Sequence, residues 1–148
     1  MCGLSLGAMI ALQLALDQPK RVRSLTLAAG QVKPPRVLMA IQSAVMRVLP
    51  SSVFEKQGAA KDVMLPVLQA VGRVDFSARL ASVSVPTLVL CGSKDCPNLP
   101  AARQLAHGIR DAQLHLIPGA GHQLHVQAPE EFSRALGAFL GGAAATGK

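Results

Sequence analysis

The chain has 148 residues, half of them apolar, which suits one domain with a real core and argues against a disordered tail. Its three cysteines, Cys2, Cys91 and Cys96, are an odd number without metal-ligand spacing, so neither a disulfide framework nor a metal site is indicated, and a reducing, cytoplasmic setting is the default expectation. The formal charge of +7 is spread over Lys20, Arg21, Arg23, Lys33, Arg36, Arg47, Lys56, Lys61, Arg73 and Arg79 with no Trp or Tyr to stack on bases, which disfavours a nucleic-acid partner. No apolar run reaches the roughly 20 residues that span a bilayer, and no basic leader opens the chain.

Taken in chain order, Gly3-Leu4-Ser5-Leu6-Gly7 opens a run over 8–16 that is apolar nearly all round, the pattern of a helix buried against a sheet. Pro19 stops it. Residues 22–28, rich in Leu and Val and bounded by Pro19 and Gly30, predict a buried parallel strand. Val37, Leu38, Ile41, Val45 and Val48 stand at helical spacing before Pro50, and 63–71 is a second helical piece, so 31–73 reads as a helical insertion. Thr87-Leu88-Val89-Leu90-Cys91 is an apolar strand ended by Gly92. A helix follows over 99–109 with Pro100 in its first turn, then a short strand over 113–117. The last helix starts near Pro129, carries Glu130 and Glu131 where the helix dipole favours acids, and is expected to bury Phe132, Leu136, Phe139 and Leu140 ahead of a frayed tail over 141–148. Alternating strands and helices predict an α/β domain built on a parallel sheet.

Gly3-x-Ser5-x-Gly7 fits a nucleophile elbow, a strained strand-to-helix turn that lifts a serine hydroxyl into a cleft. The tightness of that turn predicts that a Cβ at Gly3 or Gly7 would collide. The following helix aims its N-terminus at the site, and the Leu6 N–H is placed to bind an oxyanion. Asp95 stands directly beyond the strand 87–91, and His122 beyond the strand 113–117, at the carboxyl edge where catalytic groups of open α/β sheets collect. In this scheme Ser5 is the nucleophile, His122 the base and Asp95 the acid that orients it.

These three stretches, together with Pro86 before the third strand and Gln127-Ala128-Pro129-Glu130-Glu131-Phe132 after the histidine, resemble the α/β-hydrolase superfamily over nearly the whole chain. The resemblance implies the C-terminal portion of an α/β-hydrolase fold, with elbow, helix and sixth strand over 1–30, a helical cap over 31–73, and the last strands and helices over 74–148. It implies a hydrolase that cleaves a carboxylic ester, lactone or related carbonyl compound through an acyl-serine intermediate. A small-molecule substrate is implied, with no cofactor and no metal. Against the family pattern, only Met1 and Cys2 precede Gly3, and the loop that supplies a second oxyanion donor is missing, so the reading is a partial fold with an apolar edge at 22–28 prone to self-association. A catalytically inactive remnant or interaction module of that fold is the alternative.

Each role has a plainer rival. Ser5 could be a helix N-cap and Asp95 a cap for the helix near Asn98. His107, His115 and His125 compete with His122, which Gly121 and the Pro-led helix favour. Cys2 and Cys96 flank the site as lining.

Overall fold

A computed structural model describes residues 1–50 and 61–145. Residues 51–60 of the expected insertion, with Glu55 and Lys56, and the tail end 146–148 lie outside the described residues. The chain forms two compact units, Met1–Val32 with Ser77–Lys148, and Lys33–Phe76.

The first unit is a four-stranded parallel sheet in the order β1 (Cys2–Leu4), β2 (Leu25–Ala28), β3 (Thr87–Gly92), β4 (Gln113–Ile117). The registers Cys2↔Thr26, Leu25↔Thr87 and Leu88↔Gln113 bring the carboxyl ends of all four strands to one edge. The second strand is shorter than its apolar pattern suggested. It begins at Leu25, because ladder pairing with Thr87 starts there and residues 19–21 form a 3-10 turn upstream. It is also no edge. Cys2–Leu4 pairs along it on one side and β3 on the other, and all four of its residues are buried.

α1 (Leu6–Asp17) lies against β1 and β2, and α4 (Leu99–Gly108) against β3 and β4. α1 is less enclosed than its composition implied. Ala8, Met9, Ala11, Leu12 and Ala15 are buried while Ile10 is 59% exposed, so one stripe meets the strands and the rest does not. Ala28, Leu88, Leu90 and Ile117 share a sheet face with Leu124 of α5 (Leu124–Gln127) and Phe139 of α6 (Pro129–Ala145) packed against it. Leu27, Val89 and Cys91 point to the opposite face. Each such Leu or Ile contributes about 1.5–3 kcal/mol when fully buried. The last helix corrects two expectations. It continues through Gly141 and Gly142 to Ala145, and Leu140 is 46% exposed, because Phe139 takes the inward position and its neighbour points away.

The second unit holds α2 (Arg36–Val48) and α3 (Lys61–Val71), packed together, with Gly72 approaching the Met39 side chain. Val37, Ile41, Val45 and Val48 are exposed in α2, so their helical spacing marks a helix without marking its core. Lys33 and Asp75 pair at 2.7 Å across the ends of this unit. Both are about half exposed, so the pair adds little, about 0–1 kcal/mol.

Burial, reinforced by the Asp95 charge, pushes the Cys91 thiol up from 9.0 to about 11. The folded value lies above the unfolded one, so this contribution to stability is complete below about pH 9 and is lost as pH rises through about 11. A thiol reagent at pH 8 is expected to modify the exposed Cys2 and Cys96 and to reach Cys91 only on unfolding. Rapid modification of all three in the folded protein would contradict the packing described.

Candidate active site

Ser5 occupies the single residue between β1 and α1, at φ 53° and ψ −115°, a left-handed conformation that costs a non-glycine residue on the order of 1–3 kcal/mol. Two sets of backbone bonds hold it there. Its N–H donates to the Ala28 carbonyl at 2.8 Å, and its carbonyl accepts from the Ala8 and Met9 N–H groups at 3.0 and 3.2 Å. The Ser5 side chain makes no capping bond, so it is not an N-cap in the ordinary sense.

The two flanking glycines differ. A Cβ on Gly3 would stand 2.2 Å from the Gly7 carbonyl oxygen, a backbone atom that cannot give way. A Cβ on Gly7 would meet no heavy atom within 4 Å, contrary to the expectation of a collision at both positions, because Gly7 lends its carbonyl to the crowded side of the turn and faces open space itself. Leu6 and Gly7 stand in the first turn of α1, where N–H groups have no carbonyl one turn back to receive them.

The other two residues come from loops bound to each other. The Ser93 N–H donates to the Ile117 carbonyl at 2.9 Å, the Lys94 N–H to the Ala120 carbonyl at 2.8 Å, and the Gly119 N–H to Ser93 Oγ at 2.8 Å. Gly92 makes this possible, since a Cβ there would lie 2.3 Å from the Ala120 oxygen and 2.4 Å from that of Gly121. The Gly121 N–H is held by the Gln127 side-chain carbonyl, which steadies the residue before His122.

Ser5, His122 and Asp95 are thereby brought into one hydrogen-bonded line. His122 Nε2 lies 3.0 Å from Ser5 Oγ, and His122 Nδ1 lies 3.0 Å from Asp95 Oδ2. A carboxylate can only accept, so Nδ1 carries the proton and donates to Asp95, which leaves Nε2 free to accept from the Ser5 hydroxyl. Asp95 is 4% exposed, while nearly half of the His122 side chain faces solvent. Asp95 does not cap α4 with its side chain. Its backbone carbonyl accepts from Asn98 and Leu99, and Asn98 is the residue at the cap.

The other histidines stand apart. His115 pairs with Glu131 at 3.1 Å, His125 sets its ring edgewise on Phe132 at 6.3 Å, and His107 is exposed near the end of α4. Cys96 is exposed one residue beyond Asp95, and Cys2 is exposed in β1. Among the described residues no group of three His, Cys, Asp or Glu side chains could hold a metal ion. A groove of about 470 Å³ lined in part by Val83, Pro86, Arg110, Gln113 and Phe139 lies at the amino ends of β3 and β4, the far end of the strands from Ser5.

Two residues had no place in the sequence reading of the site. Asn98 Nδ2 lies 2.9 Å from both carboxylate oxygens of Asp95 and 3.0 Å from His122 Nδ1. Gln31 Nε2 donates to Asn98 Oδ1 at 2.6 Å and to the Pro97 carbonyl at 3.3 Å. The Asp-x-x-Asn spacing at a helix start was the one available signal for Asn98. Nothing local pointed to Gln31, whose partner is 67 residues away.

A parallel sheet with helices on its faces, a strained serine between a strand and a helix, and an acid and a histidine beyond two later strands define an α/β-hydrolase architecture. Residues 1–135 match the model of the alpha/beta hydrolase family, and the chain belongs to that family. It is 29% identical over 177 aligned positions to RutD of Variovorax paradoxus (strain S110), assigned as a carbamate hydrolase, covering 98% of this chain and 66% of that protein. Among solved structures it superposes on a hydrolase from Pseudomonas aeruginosa with a TM-score of 0.85 at 24% identity, covering 95% of this chain and 63% of the other. An enol-lactonase from Burkholderia xenovorans gives 0.77 at 21%, covering 94% and 64%. The chain thus spans just under two thirds of the length of these relatives. No described helix is long and apolar enough to cross a membrane.

The two glycines of the elbow offer a direct contrast. Gly3→Ala is expected to destabilise by at least the 1–3 kcal/mol typical of overpacking, roughly, whereas Gly7→Ala costs less than about 1 kcal/mol. Denaturant midpoints of the two variants check this, and equal losses would show that the close approach is not confined to Gly3.

Proposed function

We propose that this protein hydrolyses a small carbonyl substrate, a carboxylic ester, lactone or related compound such as a carbamate, through an acyl-serine intermediate. The observation that carries the reading is the continuous line from Ser5 Oγ through His122 to the buried Asp95, with both ring nitrogens at 3.0 Å from their partners. The names of the relatives, a carbamate hydrolase and an enol-lactonase, share a carbonyl carbon bearing an oxygen or nitrogen leaving group and support that substrate class.

The chemistry follows from the proton positions. Ser5 Oγ attacks the carbonyl carbon while its proton passes to His122 Nε2, and the resulting imidazolium is stabilised by the Asp95 carboxylate. The negative oxygen of the tetrahedral intermediate is bound by the Leu6 N–H at the positive end of α1. Collapse breaks the bond to the leaving group, which takes the proton from Nε2 and departs, leaving acyl-Ser5. Water then attacks the acyl carbon with His122 again as base, and the acid product leaves with Ser5 reprotonated. The strained backbone at Ser5 keeps the hydroxyl aimed at the site before substrate arrives, so little reorganisation is needed during the reaction.

Ser5→Ala and His122→Ala are each expected to lower turnover of a short-chain nitrophenyl ester by several orders of magnitude, with the double variant little worse than either. Asp95→Asn is expected to cost roughly 10⁴, the scale of a mis-set tautomer in a serine protease. His125→Ala, whose ring rests on Phe132 away from this line, is expected to cost far less. Near-normal turnover in Ser5→Ala would remove the reading, and a larger loss in His125→Ala than in His122→Ala would transfer the base to the other histidine.

A further inference from the structure

Resting on the reading of Ser5, His122 and Asp95 as a triad, we infer that Asn98 is a positioning residue that grips the Asp95 carboxylate by both oxygens and so keeps the His122 proton on Nδ1. The contact is buried. Asn98 is 8% exposed and Asp95 4%, and among the described residues the side chains bonded to that carboxylate are Asn98 and His122. A carboxylate has about four acceptor sites, and one taken out of water needs donors to fill them. The His122 ring supplies one N–H. Asn98 Nδ2, at 2.9 Å from each oxygen, presents its NH₂ group to both, so a turn of the carboxylate about its own axis would break that contact.

The orientation of the Asn98 amide follows from the network around it. Gln31 Nε2 is a donor, so the Asn98 atom 2.6 Å from it is the oxygen, and the NH₂ group faces Asp95. The same NH₂ lies 3.0 Å from His122 Nδ1, and there the two groups compete. With the proton on Nδ1, both atoms are donors, no hydrogen bond joins them, and both turn to the carboxylate. With Nδ1 bare, Asn98 could donate to it, Nε2 would hold the proton, and Ser5 would lose its base. The charge on Asp95 decides the matter, since a carboxylate is a far better acceptor for Nδ1–H than the ring nitrogen is for an amide. Asn98 therefore has opposite effects in the two settings. It supports the productive tautomer while Asp95 is a carboxylate and favours the unproductive one when Asp95 is replaced by a neutral amide.

That reversal supplies a test that a merely structural residue would fail. The rate of Ser5 labelling by a small fluorophosphonate is measured for Asn98→Leu, and for Asn98→Ala, which adds no bulk, each in the natural protein and in the Asp95→Asn background, with thermal melting as the check on folding. Labelling is expected to slow about 10- to 100-fold in the natural background, the scale of one hydrogen bond to a charged group, and to be unchanged or faster in the Asp95→Asn background. The low-field proton resonance of His122 Nδ1–H is expected to broaden or vanish in the single variants, and Asn98→Ser, which keeps one donor, to restore part of the rate. Equal slowing in both backgrounds, or a natural rate in folded Asn98→Ala, would overturn the inference. Ser5→Ala and His122→Ala serve as controls. If they abolish labelling while Asn98→Ala does not slow it, the role of Asn98 alone is wrong, whereas labelling that survives in both controls removes the triad and this inference with it.

Discussion

The approach of the Gly3 and Gly7 backbones governs the site. With a side-chain carbon at position 3 forced to within 2.2 Å of the Gly7 oxygen, β1 could not pass into α1 through a single residue, and Ser5 would not be driven to φ 53°. Strain of that kind persists only where the surroundings over-determine it. Here the Ala28 carbonyl holds the Ser5 N–H and the first turn of α1 holds its carbonyl, so β2 and the helix clamp the residue from two sides. Gly92 solves the matching problem at the other half of the site, where the end of β3 must touch the carbonyls of Ala120 and Gly121. Two backbone contacts that admit no Cβ thus set the distance between hydroxyl and imidazole.

Polarity changes in steps along the line that results. Gln31, Asn98 and Asp95 form a chain of amides and a carboxylate that becomes buried at its centre, and His122 carries it outward to a half-exposed ring and a serine hydroxyl. Low dielectric strengthens hydrogen bonds among the inner groups and makes an unfilled acceptor there costly, so the inner end is rigid. The outer end, where nearly half of the His122 side chain faces solvent, is the part of the line that a small molecule can reach.

Much of this was legible in the residues. The strand 87–91 announced itself as an apolar run stopped by Gly92 and 113–117 as a short strand, so Asp95 and His122 could be placed just beyond their carboxyl ends, while Ser5 was marked by the Gly3-x-Ser5-x-Gly7 spacing. What escaped has physical reasons. The start of β2 depends on where Leu25 meets Thr87, a pairing that periodicity in one segment does not encode. Gly3 and Gly7 look equivalent in the motif, yet only one faces backbone. Leu140 fits the apolar repeat of its helix, but the sheet beneath offers room for Phe139 alone of that adjacent pair. Asn98 and Gln31 are neutral amides in or beside loops, where no repeat or charge marks them, and their significance lies wholly in a partner distant along the chain.

The spacing of the three residues along the chain has its own consequence. Asp95 and His122 are 27 residues apart, whereas Ser5 and His122 are separated by 117, with the helical unit Lys33–Phe76 inside the longer interval. Closing the longer loop costs only about 1.3 kcal/mol more in chain entropy than closing the shorter, because the cost grows with the logarithm of length at about 0.6 kcal/mol per doubling. The parallel pairing of β1 with β2 and β2 with β3 closes that loop whatever its contents. The helical unit Lys33–Phe76 within that interval can therefore lengthen or shorten at little entropic cost to the alignment of hydroxyl and imidazole, whereas Gln31 just before it and Leu80 and Val83 just after it are tied to the sheet unit by a hydrogen bond and by burial.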